Sequence, residues 1–188
     1  MLLQIIVSST RPGRASKPIA DWFLEQARAN GKFEVELVDL AEHDLPVFDE
    51  PRHPKLGDYE HEHTKRWSAS VARADAYVFV TPEYNYGPPS SLVNAFDFVT
   101  KEWGYKPAGF VSYGGVSAGL RGVQLARPIV SALNMMPIPQ GVAIPFFTKH
   151  IDAATGKFDP GQVQVDATAT MLDELHRWAG ALAPLRRG

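Results

Sequence analysis

The stretch AYVFVTPEYNYGPPSSLVNAFD, residues 76–97, places three different signals end to end. Ala76 to Val80 is short, apolar and rich in strand formers, as a strand buried on both faces must be. Ser90 to Lys101 has the apolar spacing of a helix. Between them Pro82, Glu83, Tyr84, Asn85, Tyr86, Gly87, Pro88 and Pro89 make a loop that is rigid, aromatic and polar at once. A buried strand handing over to a helix in this way is part of a βαβ unit.

The alternation continues in both directions. Upstream, Leu2 to Val7 reads as a buried strand, Ala15 to Ala29 as a helix stopped by Asn30-Gly31, and Phe33 to Leu40 as a half-alternating strand nearer an edge. Residues 41–63, rich in proline, histidine and charge, read as a long surface loop. Thr64 to Asp75 reads as a helix. Downstream come a strand at Ala108 to Ser112, a glycine-rich loop at Tyr113 to Gly122 and a helix at Val123 to Leu133. Pro139 to Phe147 contains a fifth strand around Gly141 to Ile144. Residues 148–161 form a loop, and Val163 to Leu182 the last helix. Strict βα alternation predicts an α/β fold with a parallel sheet covered on both faces. For five strands the expected order is 2-1-3-4-5, the flavodoxin-like three-layer sandwich. With no repeat and no linker, residues 1–188 are expected to form a single domain.

Composition narrows the function. The sequence contains no cysteine, which removes disulfides, thiolate catalysis and cysteine-held metals. A formal net charge of -2 gives no general attraction to nucleic acid and no strongly acidic docking face. No apolar run is long enough to span a bilayer, and LLQIIV lacks the basic flank of a signal peptide. A cytoplasmic location without a membrane partner is expected.

In such sheets ligands bind beyond the carboxyl ends of the strands, near the switch point. The loops after the first, third and fourth strands are the unusual ones here. Ser8 to Ser16 sets hydroxyls (Ser8, Ser9, Thr10, Ser16) and two guanidiniums (Arg11, Arg14) beside a helix start, where backbone N–H groups and the dipole favour an anion. The plain alternative is a capped turn with solvated arginines. GxxxxGK[ST] and GxGxxG are both absent, so a single terminal phosphate fits better than a pyrophosphate. Asp39 reads as a strand-end or helix-capping residue. In the second loop, prolines fix the backbone, Gly87 permits a close approach, and Tyr84 and Tyr86 offer flat faces. It reads as a stiff edge for a flat ring, or as a rigid turn covering apolar surface. In the third loop, beginning at Ser112, four glycines permit backbone approach to a ligand or simply flexibility.

These three segments, SSTRPGR, PEYNYGPPSSLVNAFD and SYGGVSAGLRG, resemble the NADPH-dependent FMN reductase family of flavodoxin-like proteins, over nearly the whole chain. The resemblance implies bound FMN, reduction by NADPH or NADH, and a homodimer or homotetramer. It implies phosphate contacts from Ser9, Arg11 and Ser16, a flavin lining from Pro82, Glu83, Tyr84, Asn85, Tyr86 and Gly87, and a pyrimidine edge met by Ser112, Tyr113, Gly114 and Gly115. Arg14, where many members carry serine, is a further phosphate or NADPH 2′-phosphate candidate. The chemistry would lie on flavin N5, with no catalytic side chain and no metal. Small acceptors such as quinones, azo compounds or flavins would take the electrons in a ping-pong cycle. An electron-transfer or flavin-binding regulatory protein without its own turnover is the alternative.

Other features have plainer readings. The apolar residues Leu92, Val93, Ala95, Phe96, Phe98 and Val99 exceed one core stripe, which suggests a second subunit or deep burial. His61 and His63 lack a marked third metal ligand. Met135 and Met136 read as core filler at a helix exit, and Trp67 and Trp178 as packing residues. Arg186-Arg187 is too short for a nucleic-acid patch.

Overall fold

The computed structural model describes residues 1–186, so Arg187 lies outside the described residues. Five strands form one parallel sheet: β1 (Leu2–Val7), β2 (Glu34–Asp39), β3 (Ala76–Pro82), β4 (Pro107–Tyr113) and β5 (Met136–Ile144). Their order is β2-β1-β3-β4-β5, the flavodoxin-like arrangement. The helices are α1 (Ser16–Asn30), α2 (Leu40–His43), α3 (Glu62–Arg73), α4 (Ser90–Asp97), α5 (Leu120–Ala132) and α6 (Gln162–Leu182).

Side chains alternate across a strand, so each strand feeds two cores. Leu3, Ile5, Val7, Val78 and Val80 pack with Ile19 and Phe23 of α1 and Met171 and Leu175 of α6. Ile6, Tyr77, Phe79 and Phe110 pack with Trp67 of α3, Phe96 of α4 and Val123 of α5. Each large apolar side chain buried in this way contributes roughly 1.5–3 kcal/mol. Trp67 and Met135 lie in the second core, and Trp178 packs half-buried against the first.

Several boundaries move. α3 starts two residues before the expected Thr64, and α5 starts at Leu120 instead of Val123. β5 begins at Met136, despite Pro137 and Pro139. It is an edge strand, where a missing N–H is tolerated. The step from Ala108 to Phe110 on β4 is matched by the longer step from Pro137 to Gly141, a bulge that absorbs the prolines.

The 41–63 segment is tied down rather than lying loosely on the surface. Asp39 caps α2, its carboxylate accepting from Ala41 N at 3.0 Å. Leu45, Phe48 and Tyr59 pack on the second core. The buried Glu50 carboxylate accepts from the N–H groups of Glu60 and His61 at 2.9 and 3.0 Å, where α3 begins. His61 and His63 stack with ring centres 5.2 Å apart, and His63 Nε2 lies 2.9 Å from Asp49 Oδ1. Among the described residues no group of three or more His, Asp or Glu could hold a metal.

The apolar width after Ser90 has an internal explanation. α4 ends at Asp97, short of the expected Lys101, and the chain turns. Leu92, Ala95, Phe96, Phe98 and Val99 are all buried in the chain's own second core. Only Val93 of that set stays half-buried, so these residues no longer argue for a second subunit.

Candidate functional site

The loop after β1 begins as a continuation of the sheet. Ser8 N and Ser8 Oγ both donate to Val80 O, at 3.1 and 2.6 Å. Ser9 Oγ lies 2.8 Å from the Tyr84 hydroxyl and accepts from Arg11 N at 3.4 Å. Ser16, the first residue of α1, is fully buried, and its hydroxyl makes no well-formed hydrogen bond, although it lies close enough to the Tyr113 hydroxyl to interact with it. Ala15 gives α1 no side-chain cap, and the first turn carries no acidic residue. A buried hydroxyl bonded so weakly, next to uncapped helix N–H groups, is a donor set that an anion completes. The two arginines differ. Arg11 is exposed and forms no ion pair among the described residues. Arg14 Nη2 sits 2.5 Å from Asp39 Oδ2, with side chains 20% and 5% exposed, so its charge is taken up by the end of β2.

The loop after β3 is built around a tight turn. Tyr84 and Gly87 exchange both backbone hydrogen bonds at 2.9 Å, with φ of 49° at Asn85 and 69° at Tyr86. Two successive positive φ values at the centre make this a type I′ turn. The unusual backbone therefore falls on Asn85 and Tyr86, whereas Gly87, the expected permissive position, has no positive φ. A tyrosine in the left-handed region is uncommon and needs support around it.

That support comes from the loop after β4. The Glu83 side chain is 6% exposed and reaches Arg121 Nη2 at 2.5 Å. Its carboxylate also accepts from Arg121 Nε at 2.6 Å, Arg121 N at 3.1 Å and Ser117 Oγ at 3.0 Å. Burial pushes the Glu83 carboxyl up, but the Arg121 and Ser117 hydrogen bonds outweigh it and hold it below its ordinary value. The Arg121 guanidinium carbon lies 3.9 Å from the centre of the Tyr86 ring.

Ser112 and Tyr113 are buried at the end of β4, and burial pushes the Tyr113 hydroxyl well up, keeping it neutral. The glycines that follow play unequal parts. A Cβ on Gly114 would come within 2.9 Å of Gly119 N, and one on Gly122 within 3.0 Å of Gly87 O. Gly119, at φ +79°, has Tyr113 O only 2.8 Å from where its Cβ would stand. These three pack protein against protein. Gly115 alone of the four faces open space, with nothing within 4 Å.

The three loops are thus fastened to each other at the carboxyl end of the sheet. Ser9 with Tyr84 joins the first to the second, and Glu83 with Arg121 joins the second to the third. Ser91 Oγ donates to Ser8 O at 2.5 Å, anchoring α4 to the first. A family model described as NADPH-dependent FMN reductase matches residues 1–149. The chain belongs to this family. It is 40% identical over 163 residues to an NAD(P)H-dependent FMN reductase of Schizosaccharomyces pombe, covering 78% of this chain and 82% of that one. It is 35% identical over 155 residues to an NAD(P)H-dependent FMN reductase of Saccharomyces cerevisiae, covering 77% and 80%. The fold matches the flavoenzyme NAD(P)H:(acceptor) oxidoreductase FerB of Paracoccus denitrificans, with a TM-score of 0.74, 21% identity and coverage of 96% and 97%.

As an FMN reductase the protein is an oxidoreductase with FMN as cofactor and NAD(P)H as reductant. The structure of this FMN reductase brings the sequence-predicted residues of all three loops to one end of the sheet, but not in equal roles. Arg14 is paired away to Asp39, and the Glu83 carboxylate is fully engaged with Arg121 and Ser117. Ser117 and Arg121 lie outside the sequence-predicted set. Their only signal is a polar and a cationic residue within SYGGVSAGLRG, and their partner lies 34 and 38 residues away.

Proposed function

We propose that Ser9, Arg11, Ser16 and the N-terminus of α1 hold the FMN phosphate, while the Pro82–Gly87 turn and the Ser112–Gly115 edge hold the ring. The Ser16 hydroxyl carries this reading: it is buried beside the uncapped start of α1 with no well-formed hydrogen bond, and a buried donor left so costs about 1–3 kcal/mol unless a ligand satisfies it. FMN, when bound, supplies the redox chemistry, accepting hydride from NAD(P)H and passing electrons to a quinone, azo compound, flavin or similar acceptor in a ping-pong cycle. The chain's part is to bind, orient and limit access. Arg11 is the exposed cation for the phosphate, and Arg14 stiffens the loop through Asp39. Tyr84 and Tyr86 are exposed at the turn and shape the space in which nicotinamide and acceptor alternate. Tyr113 is kept neutral and supplies no base. No side chain is required to transfer a proton in the hydride step.

The family resemblance supports a single domain over residues 1–188 that works in the cytoplasm as a homodimer or homotetramer. No helix among the described residues is long and apolar enough to cross a membrane. An anaerobic visible spectrum of the purified protein tests the proposal. A flavin spectrum should bleach on addition of NADPH or NADH and return with a quinone. A flavin unmoved by either nucleotide would instead favour an electron carrier, and a protein that takes up no FMN would refute the assignment of the three loops.

A further inference from the structure

We propose that Arg121 is the positioning residue for the wall formed by Asn85 and Tyr86, a proposal that rests on the flavin reading above. Tyr86 is 62% exposed and sits at φ 69°, so its own packing does not hold it there. One guanidinium supplies what is missing. Its edge forks onto Glu83 at 2.5 and 2.6 Å, and its carbon lies 3.9 Å from the centre of the Tyr86 ring. Glu83 precedes the turn and Tyr86 is its second central residue, so a single planar group ties the entry of the turn to its strained centre. Lysine, a point charge without a flat fork, can keep the Glu83 contact but not both.

The anchor is itself rigid. Arg121 N donates to Glu83 at 3.1 Å, and the neighbouring Gly122 packs against Gly87 O, 3.0 Å from where a Cβ would stand. The turn is therefore held in register with the first turn of α5 before any ligand arrives. Arg121 thus controls how well the second substrate is seated on the flavin, acting through Tyr86 and not on the reacting atoms.

The test uses Arg121→Ala, Arg121→Lys, Tyr86→Ala and the Arg121→Ala/Tyr86→Ala double variant of the FMN-loaded protein, with FMN titration of the stripped protein as a second readout. Arg121→Ala should raise KM for menadione and the FMN Kd by about twofold to fivefold, the span that an exposed cation–π contact covers. The rate of flavin bleaching at saturating NADPH should change far less than KM. Tyr86→Ala should reproduce the KM effect, the double variant should be no worse than either single one, and Arg121→Lys should restore only part. Unchanged KM and Kd in Arg121→Ala would overturn the proposal. So would independent, multiplying effects of Arg121 and Tyr86, or full rescue by lysine. A wild-type protein that binds no FMN refutes the flavin reading instead, so the two failures are distinct.

Discussion

Alanine placed in turn at Gly119, Gly13 and Gly115 separates backbone strain from steric overlap in the loops of the site. At Gly119 both act. Its φ of +79° is left-handed, and a Cβ would stand 2.8 and 2.9 Å from Tyr113 O and N, which are fixed in β4. The left-handed conformation costs an L-residue about 1–2 kcal/mol, and overpacking against a rigid neighbour adds about 1–3 kcal/mol. Gly13, at φ +69° with nothing within 4 Å, carries only the first cost. Gly115 carries neither. Each Gly→Ala change also stabilises by about 0.4–1 kcal/mol through the unfolded chain. The net expectation is a loss of about 1–4 kcal/mol at Gly119, a loss of at most about 1.5 at Gly13 and none at Gly115. In a chain of this size 1 kcal/mol moves Tm by about 2–4 °C. Thermal melts of the FMN-free variants should therefore rank Gly115→Ala highest and Gly119→Ala lowest, several degrees below wild type. FMN titration should show the reverse of neutrality at Gly115, where the new methyl occupies open space at the proposed ring edge. A Gly119→Ala protein that melts with wild type, or a Gly115→Ala protein that falls as far, would refute this account of the loop.

Three further outcomes are expected. Ser16→Ala removes a buried hydroxyl with no well-formed hydrogen bond in the protein, so Tm should change little while FMN affinity falls by about tenfold or more, the value of one hydrogen bond to a charged group; isothermal titration and a melt together check it. Asp39→Ala removes both the cap of α2 and the partner of Arg14, and should lower stability by roughly 1–3 kcal/mol in a urea titration. Lys106 is pushed down by burial, from 10.5 to about 8, while its Nζ donates to Val71 O, Ala72 O and the Tyr77 hydroxyl. The unfolded chain then keeps that proton to higher pH than the folded one. The contribution of this group to stability should be lowest below about pH 8 and rise by roughly 3 kcal/mol by pH 10.5. Because the raised hydroxyls of Tyr59, Tyr77 and Tyr113 act in the opposite direction near pH 10, the check is the difference between wild type and Lys106→Met in urea titrations, which should shift in favour of wild type as pH rises from about 8 to 10.5.

The fold was legible because β1, β3 and β4 are apolar runs, each followed by a loop and a helix. What resisted reading was local. Pro137 and Pro139 hide the first half of β5, since proline argues against a strand unless the strand is known to lie at an edge. The glycines of the third loop conceal the first turn of α5. Phe98 and Val99 look like a continued helix face because sequence spacing does not reveal the turn at Asp97. The site was legible as three loops, since position after a strand is a chain-order property. Its internal wiring was not. The Arg14–Asp39 pair spans 25 residues and the Glu83–Arg121 clip spans 38, and no local pattern announces either. Arginines look equivalent in a string; which one stays free depends on where the carboxylates come to rest.

The two rims of the sheet have a consequence for how copies of this chain can meet. β5 offers a bulged rim interrupted by two residues that have no N–H to give. β2, the opposite rim, carries Glu34 and Glu36, the latter already held by Arg73 and Gln4. The prolines on one rim and the charges on the other make both poor templates for a foreign strand. Self-association through helices or loops is then favoured over lengthening the sheet.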